Sequence, residues 1–235
     1  AVRGTISMGP GSLLPVNVTN GWSADGPCNI NVAGFNDPAA ASQINGSPFT
    51  FGGTMNIGGA LGHLRILSTT TINSTAAINV GATDWLEFDG VTSVDAGVFT
   101  LGQGAKIDFD GQTTLAGGGF QSAGPGFNDG LVSLNGPTEW RGQVTIDGAA
   151  RQNGPATATV ATGTVINAGA LDMDGQNGTT AWTIGAPLVV NTDQVGDTSD
   201  NRFHGTMQIP GGFSPRLTLN LPAGERWVMA WAMTI

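Results

Sequence analysis

The sequence predicts an all-β fold built as a parallel β-helix, or solenoid, with coils of irregular length. Three observations lead to this prediction. Glycine supplies 38 of the 235 residues, more than twice the usual share of ~7%. Only 11% of the residues are charged, and a short strand-and-turn unit recurs along the chain. A β-sandwich or jelly roll is the alternative, because short, closely spaced strands suit those folds as well.

The recurring unit is an apolar residue, any residue, a second apolar residue, any residue and a glycine. Its copies begin at Met55, Leu86, Ile107, Val132, Val144, Leu171 and Met207. Each copy predicts a short strand with two inward side chains, closed by a glycine that tolerates positive φ. In the second copy Phe88 is expected to face the core, and Glu87 the exposed opposite side. The uneven spacing of the copies excludes repeats of fixed period.

The rest of the chain also favours strands over helices. The longest run free of glycine and proline, residues 63–80, is rich in Ile, Thr and Val, which fit a pleated surface. From Glu225 to Ile235, Trp and Met alternate with smaller residues at a period of two. Stacked coils place like side chains ~4.8 Å apart. Columns of Thr and Asn tolerate this stacking, whereas columns of one charge repel, so the low charge favours the β-helix.

Charge and composition exclude several kinds of partner. The net charge is −9 and Lys106 is the only lysine, which argues against nucleic acid, because binding phosphates requires clustered basic residues. No run of 18 apolar residues occurs, so no membrane span is predicted. Cys28 stands alone and is interpreted as a small buried apolar residue. The chain is interpreted as a single solenoid segment, residues 1–235, of a larger protein or assembly.

The Gly-, Thr- and Asn-rich run of these strand units, with one lysine and no pair of cysteines, resembles a known group of bacterial proteins. These are the β-strand-repeat passenger regions of autotransporters and the filamentous-haemagglutinin-type adhesins. The resemblance covers most of the chain and is compositional. It implies a right-handed parallel β-helix on the outside of the cell, and it supplies no catalytic residues.

Few residues suggest chemistry. His63 and His204 are expected in turns or on the surface, and neither a catalytic residue nor a cofactor is predicted. Ca²⁺ is the one ion for which the sequence offers candidate ligands, since it binds carboxylate and carbonyl oxygens. These ligands are Asp193, Asp197 and Asp200, in the acidic loop at residues 191–201. A solvated loop without an ion is the favoured interpretation of this segment.

Two pairs of aspartates are spaced so that both members lie on one face of a strand. The pairs are Asp108 with Asp110 and Asp172 with Asp174. Outward acids of this kind serve β-helical enzymes that cleave polysaccharides, and glycoside hydrolysis needs two carboxyl groups near the scissile bond. The simpler interpretation, that they solubilise an exposed strand face, is favoured.

The six tryptophans exceed what a thin solenoid core holds comfortably. Either some are exposed and stack on sugars or neighbouring subunits, or they cap the coil ends and pack under loops. Trp227, Trp231 and Met233 are the candidate interaction residues. They belong to an uncharged C-terminal strand that is expected to act as a template for another strand. Self-association end to end or with neighbouring repeats is therefore predicted, with glycans as further candidate partners.

The sequence thus favours a structural or adhesive repeat segment of an extracellular or cell-surface protein or filament, and not an enzyme. Two alternatives remain open. The outward aspartates and the tryptophans would also fit a β-helical carbohydrate-active enzyme or phage tailspike domain. A carbohydrate-binding β-sandwich is the third hypothesis, and it would bind sugars without turnover.

Overall fold

The protein is a β-solenoid in which strands pair in parallel from one coil to the next. The computed structural model describes residues 4–9, 11–16, 22–33, 41–59, 61–124, 129–158, 163–172, 180–184, 186–192, 201–208, 217–220 and 227–234. Every described strand pairing is parallel, and the described residues form strands and turns without helix. The predicted solenoid is therefore confirmed, and the β-sandwich and jelly-roll alternatives are wrong, because both require antiparallel pairing.

In chain order, the strands are β1 (Gly4–Met8), β2 (Leu13–Val16), β3 (Trp22–Ala33), β4 (Ser42–Gly46), β5 (Phe49–Gly58), β6 (His63–Ile66), β7 (Thr70–Ile72), β8 (Ala77–Val80), β9 (Trp85–Phe88), β10 (Thr92–Val94), β11 (Val98–Leu101) and β12 (Lys106–Phe109). They continue with β13 (Thr113–Leu115), β14 (Gly119–Ser122), β15 (Leu131–Leu134), β16 (Thr138–Trp140), β17 (Gly142–Gln152), β18 (Ala156–Ala158), β19 (Thr164–Asp172), β20 (Thr180–Ile184), β21 (Leu188–Thr192), β22 (Asn201–Gln208), β23 (Leu217–Asn220) and β24 (Trp227–Thr234).

Each coil contributes one strand to each of three faces. In the middle of the chain β7, β10 and β13 stack on sheet A, β8, β11 and β14 on sheet B, and β9, β12 and β15 on sheet C. The longer strands β3, β5, β17 and β19 bend at a corner and contribute to two faces each. Side chains that share a register position therefore form columns along the solenoid.

The core is made of inward columns of apolar side chains. On sheet C, Phe88 and Phe109 stack with ring centroids 5.0 Å apart, and Phe99 stacks on Phe120 at 4.4 Å on sheet B. Trp140 and Trp182 are fully buried and stack at 6.4 Å. These two tryptophans lie in the core and not on the surface. The predicted inward position of Phe88 is confirmed, since its side chain is fully buried.

A buried column of threonines runs along sheet A at Thr70, Thr92, Thr113 and Thr138. Each hydroxyl donates a hydrogen bond to the carbonyl oxygen two residues before it, at the preceding corner. Because buried polar groups are costly without partners, this local bond lets a hydroxyl stand at an inward position. It also ties each corner to the strand that follows.

The corner that leads from sheet C to sheet A is lined by glycines at Gly90, Gly111, Gly136 and Gly154. A Cβ atom placed on Gly111 would lie 2.2 Å from the carbonyl oxygen of Gly90, and the other three have equivalent contacts with the coil before. None of these four has a positive φ. The predicted glycine turns are present, but the reason for glycine at this corner is the close approach of successive backbones.

Candidate functional site

A group of charged side chains lies on the outer surface of sheet C, across β6, β9 and β12. We call it the charged cluster: His63, Arg65, Glu87, Asp89, Asp108 and Asp110. Alternation along the strands explains it, because Leu86 and Phe88 point inward and leave Glu87 pointing outward. One register column contains Arg65, Glu87 and Asp108 in three successive coils. Glu87 therefore has the opposite charge of Arg65 one coil before it and the like charge of Asp108 one coil after it.

Glu87 is the centre of the cluster. One of its oxygens, Oε2, lies 2.9 Å from Nε2 of His63 and 3.0 Å from Nε of Arg65. The Nη2 group of Arg65 donates to Oδ2 of Asp89 at 2.6 Å. Arg65 thus joins two carboxylates from the next coil, and this pairing offsets the repulsion of the stacked acids.

His63 is held against the indole of Trp85, with ring centroids 4.3 Å apart and planes 3° from parallel. It is only 8% exposed. The expectation that His63 lies in a turn or on the surface is therefore wrong, because β6 begins at this residue and the neighbouring coil covers its ring. The second histidine, His204, lies in β22, and its side chain is outside the described residues.

Burial raises the pKa of the Glu87 carboxyl group, while the hydrogen bond with His63 opposes that rise. The nearby Asp110 carboxyl group raises it further, and the charge of Arg65 lowers it. Burial also raises the pKa of Asp108, against hydrogen bonds with Ser133 and Trp85. Two of the outward acids therefore hold their protons more tightly than exposed carboxyl groups do.

Glu87, Asp89 and Asp110 each place a carboxylate oxygen within 4.8 Å of the others. Chemically this arrangement can share a proton between carboxyl groups, or bind a hard cation through oxygen. The guanidinium group of Arg65 already lies against two of the three acids. Its positive charge offsets the electrostatic repulsion between these carboxylates.

The predicted aspartate pairs have different outcomes. Asp108 and Asp110 both belong to the charged cluster, where Asp110 approaches Glu87 of the coil before and its Oδ1 accepts a hydrogen bond from Asn135. Asp172 instead lies in β19, with Oδ2 3.3 Å from Nε of Arg151, and Asp174 is outside the described residues. Sequence spacing alone could not identify Glu87 as the partner of Asp110, because the two lie in different coils.

The remaining predicted site residues are not tested by these contacts. The candidate calcium ligands Asp193, Asp197 and Asp200 lie outside the described residues. Trp227, Trp231 and Met233 belong to β24, whose backbone pairs with β22. Their side chains also fall outside what the structure describes.

Sheet B carries two ladders of asparagines that sequence reasoning expected only in general terms. The first ladder is Asn31, Asn56 and Asn79, and the second is Asn167, Asn191 and Asn220. Within each ladder the side-chain amide donates to the amide oxygen one coil earlier, at 2.7 to 2.9 Å. Bonded partners lie 23 to 29 residues apart, so no fixed period in the sequence could reveal them.

The second ladder borders a surface depression of about 190 Å³ at the corner between sheets B and C. It is lined on the strand side by Thr145, Asn167 and Asn191, and at the corner by Asp147. Beside Asp147 the pairing of β17 with β19 contains a bulge, where residues 147 and 148 oppose Gly169 alone. The bulge turns the exposed Asp147 toward the ladder side of the corner.

Comparison with models of protein families, with curated proteins and with solved structures finds no match for this chain. The part of the chain that the structure describes contains no helix of the length and apolarity that crossing a bilayer requires. The features of the molecule that bear on its function are therefore the fold, the charged cluster, the two asparagine ladders and the depression.

Proposed function

We propose that this chain is a structural and adhesive repeat segment of an extracellular or cell-surface protein or filament. The observation that carries the proposal is the parallel stacking of coils, which turns a varied sequence into columns of like side chains. Most inward columns are apolar, and sheet B carries outward columns that include the asparagine ladders. On sheet B the solenoid therefore presents a polar and weakly charged surface.

The physical character of that surface supports the role. Backbone hydrogen bonds between parallel strands join each coil to the next, and the side-chain ladders add further bonds in the same direction. A segment of this kind suits holding a neighbouring part of a protein at a distance. The resemblance to autotransporter passenger regions and filamentous-haemagglutinin-type adhesins points to the same role. Self-association and glycans are the partners that fit it.

Localisation and adhesion test this proposal directly. Antibodies raised against the chain should label intact cells of the organism that encodes it, without permeabilisation. Deletion of its gene should reduce attachment of those cells to each other or to glycan-coated surfaces, and re-expression should restore attachment. Labelling that requires permeabilisation, or unchanged attachment after deletion, would contradict the proposal.

A second candidate function is a carbohydrate-active enzyme, and one observation favours it. Glu87 and Asp110 bring carboxyl oxygens within 4.8 Å of each other, and burial raises the pKa of Glu87. Two neighbouring carboxyl groups are what glycoside cleavage uses, one as the acid and the other as the nucleophile or base. Incubation with a panel of polysaccharides tests it. Release of reducing ends that Glu87→Gln abolishes, and that Asp172→Asn leaves unchanged, would favour the enzyme over the structural segment.

A further inference from the structure

We propose that the depression beside the second asparagine ladder is a binding site for a neutral sugar. This inference deepens the adhesive role and rests on it, because it assigns the glycan contact to one place on sheet B. The site is formed by Thr145, Asp147, Asn167, Asn191 and Thr192 from three successive coils. It lies on β17, β19 and β21, along the body of the solenoid.

The ladder leaves hydrogen-bonding capacity facing outward. Asn191 donates to Asn167 at 2.7 Å, and Asn167 donates to Thr145 at 3.4 Å. Each side-chain amide has two N–H donors and two acceptor positions on its oxygen, and the ladder uses one of each. The remaining donor and acceptor of successive coils stand ~4.8 Å apart. Each sugar hydroxyl can both donate and accept a hydrogen bond. Adjacent hydroxyls of one sugar ring can therefore bond to the remaining donors and acceptors of neighbouring ladder amides.

Thr192 borders the depression, but its buried hydroxyl lies on the inward side of β21. Thr192 is 5% exposed, and its Oγ1 has no hydrogen-bond partner among the described residues. A buried polar group without a partner destabilises the protein. Thr192 shares its register position with Ala168, whose small side chain leaves room beside it. The polar contacts available to a ligand therefore come from the outward ladder residues and from Asp147.

Charge and size define the class of ligand. Asp147 is exposed, and the described residues that line the depression include no lysine or arginine. An anionic polysaccharide would therefore be repelled, whereas the Asp147 carboxylate accepts hydrogen bonds from neutral hydroxyls. The volume of about 190 Å³ is below the ~300 Å³ at which pockets for drug-sized molecules begin. One sugar unit of a longer glycan fits these limits.

The first ladder provides a matched control within the same chain. Asn56 makes the same kind of amide bonds to the coils on either side, at 2.9 and 2.8 Å, on the same sheet. It does not line the depression. Replacing Asn56 removes equivalent ladder bonds and leaves the proposed site unchanged, so it separates loss of a sugar contact from loss of a structural contact.

The experiment presents the full chain to an array of neutral oligosaccharides in the presence of EDTA. Titration of the best binder follows, with the wild-type chain and with Asn167→Ala, Asp147→Ala and Asn56→Ala. We expect Asn167→Ala and Asp147→Ala each to raise Kd about tenfold, the effect of losing one good hydrogen bond. Asn56→Ala should change Kd less than about twofold. Circular dichroism checks folding, and the exposed Asp147 keeps the test valid if Asn167→Ala unfolds.

Two results would overturn the site. One is that the chain binds no neutral oligosaccharide on the array. The other is that Asn56→Ala and Asp147→Ala raise Kd by the same factor. Either result leaves the surface location of the protein untouched, since antibody labelling of intact cells measures that separately. Conversely, sugar binding at this depression by a chain that never reaches the cell surface would contradict the adhesive role and not the site.

Discussion

The Nε2 atom of His63 lies 2.9 Å from Oε2 of Glu87, one coil away on the outer surface of sheet C. Although both side chains occupy outward positions, each residue is only 8% exposed. The indole of Trp85 covers the imidazole ring, and Arg65 lies on the other side of the carboxylate. An outward position on this solenoid is therefore not the same as an exposed one, because neighbouring coils cover each other.

Glu87→Ala should lower the free energy of unfolding by about 1–3 kcal/mol, because it removes the hydrogen bond to the buried His63 ring and the carboxylate that pairs with Arg65. This replaces the expectation from strand alternation, which put Glu87 on an exposed face with an effect within about 0.5 kcal/mol. Urea unfolding monitored by circular dichroism measures the difference. Thr100→Ala, at an exposed outward position of β11, is the control and should stay within about 0.5 kcal/mol. Equal effects at the two positions would contradict the structural role of the cluster.

Phe88→Asp should lower the free energy of unfolding by more than about 4 kcal/mol, because it places an unpaired charge inside an apolar column. Phe88 is fully buried and stacks on Phe109. Phe88→Leu keeps an apolar side chain of similar size and should cost below about 1.5 kcal/mol. The same unfolding experiment compares them. A similar loss for both variants would mean that volume, and not polarity, determines the tolerance of this position.

The inward positions could be predicted from the sequence because they depend on local alternation. Phe88 and Leu86 follow from the apolar–any–apolar unit, and the fold class follows from the recurrence of that unit. The neighbours of each residue in adjacent coils could not be predicted, since bonded asparagines lie anywhere from 18 to 29 residues apart. The pairing of His63 with Glu87, and of Glu87 with Asp110, depends on that inter-coil register. Sequence spacing therefore identified Asp108 and Asp110 but not the residues that complete their surroundings.

Gly111→Ala should be strongly destabilising, by about 1–3 kcal/mol or more, because the new Cβ would lie 2.2 Å from the carbonyl oxygen of Gly90 and backbone cannot easily move aside. Gly119→Ala is the matched control. A Cβ atom at Gly119 would meet no other atom within 4 Å, so the substitution should be neutral or slightly stabilising. Thermal unfolding of both variants distinguishes them. A neutral Gly111→Ala would show that the corner between sheets C and A is wider than described.

Asp84 is the most deeply buried carboxyl group among the described residues, with 1% of the residue exposed. Its Oδ1 accepts a hydrogen bond from the backbone N–H of Gly62 at 2.5 Å, and its Oδ2 has no partner among the described residues. Burial raises the pKa of Asp84, and the bond from Gly62 opposes the rise. The pKa values of Glu87 and Asp108 are raised by burial as well. All three groups bind a proton more tightly in the folded chain than in the unfolded one.

Mild acidification should therefore stabilise this protein through these three groups. For a raised carboxyl pKa, the stabilisation is complete below the unfolded value of ~4 and is lost as pH rises through the folded value. Asp84→Asn keeps an oxygen for the Gly62 N–H and removes the titration. It should raise the free energy of unfolding at pH 7 and reduce its increase between pH 7 and pH 4. Thr100→Ala, at an exposed position without a titratable group, should leave that pH dependence unchanged. Urea unfolding at both pH values measures the slopes, and equal slopes for Asp84→Asn and the wild-type chain would contradict the assignment of the pH dependence to Asp84.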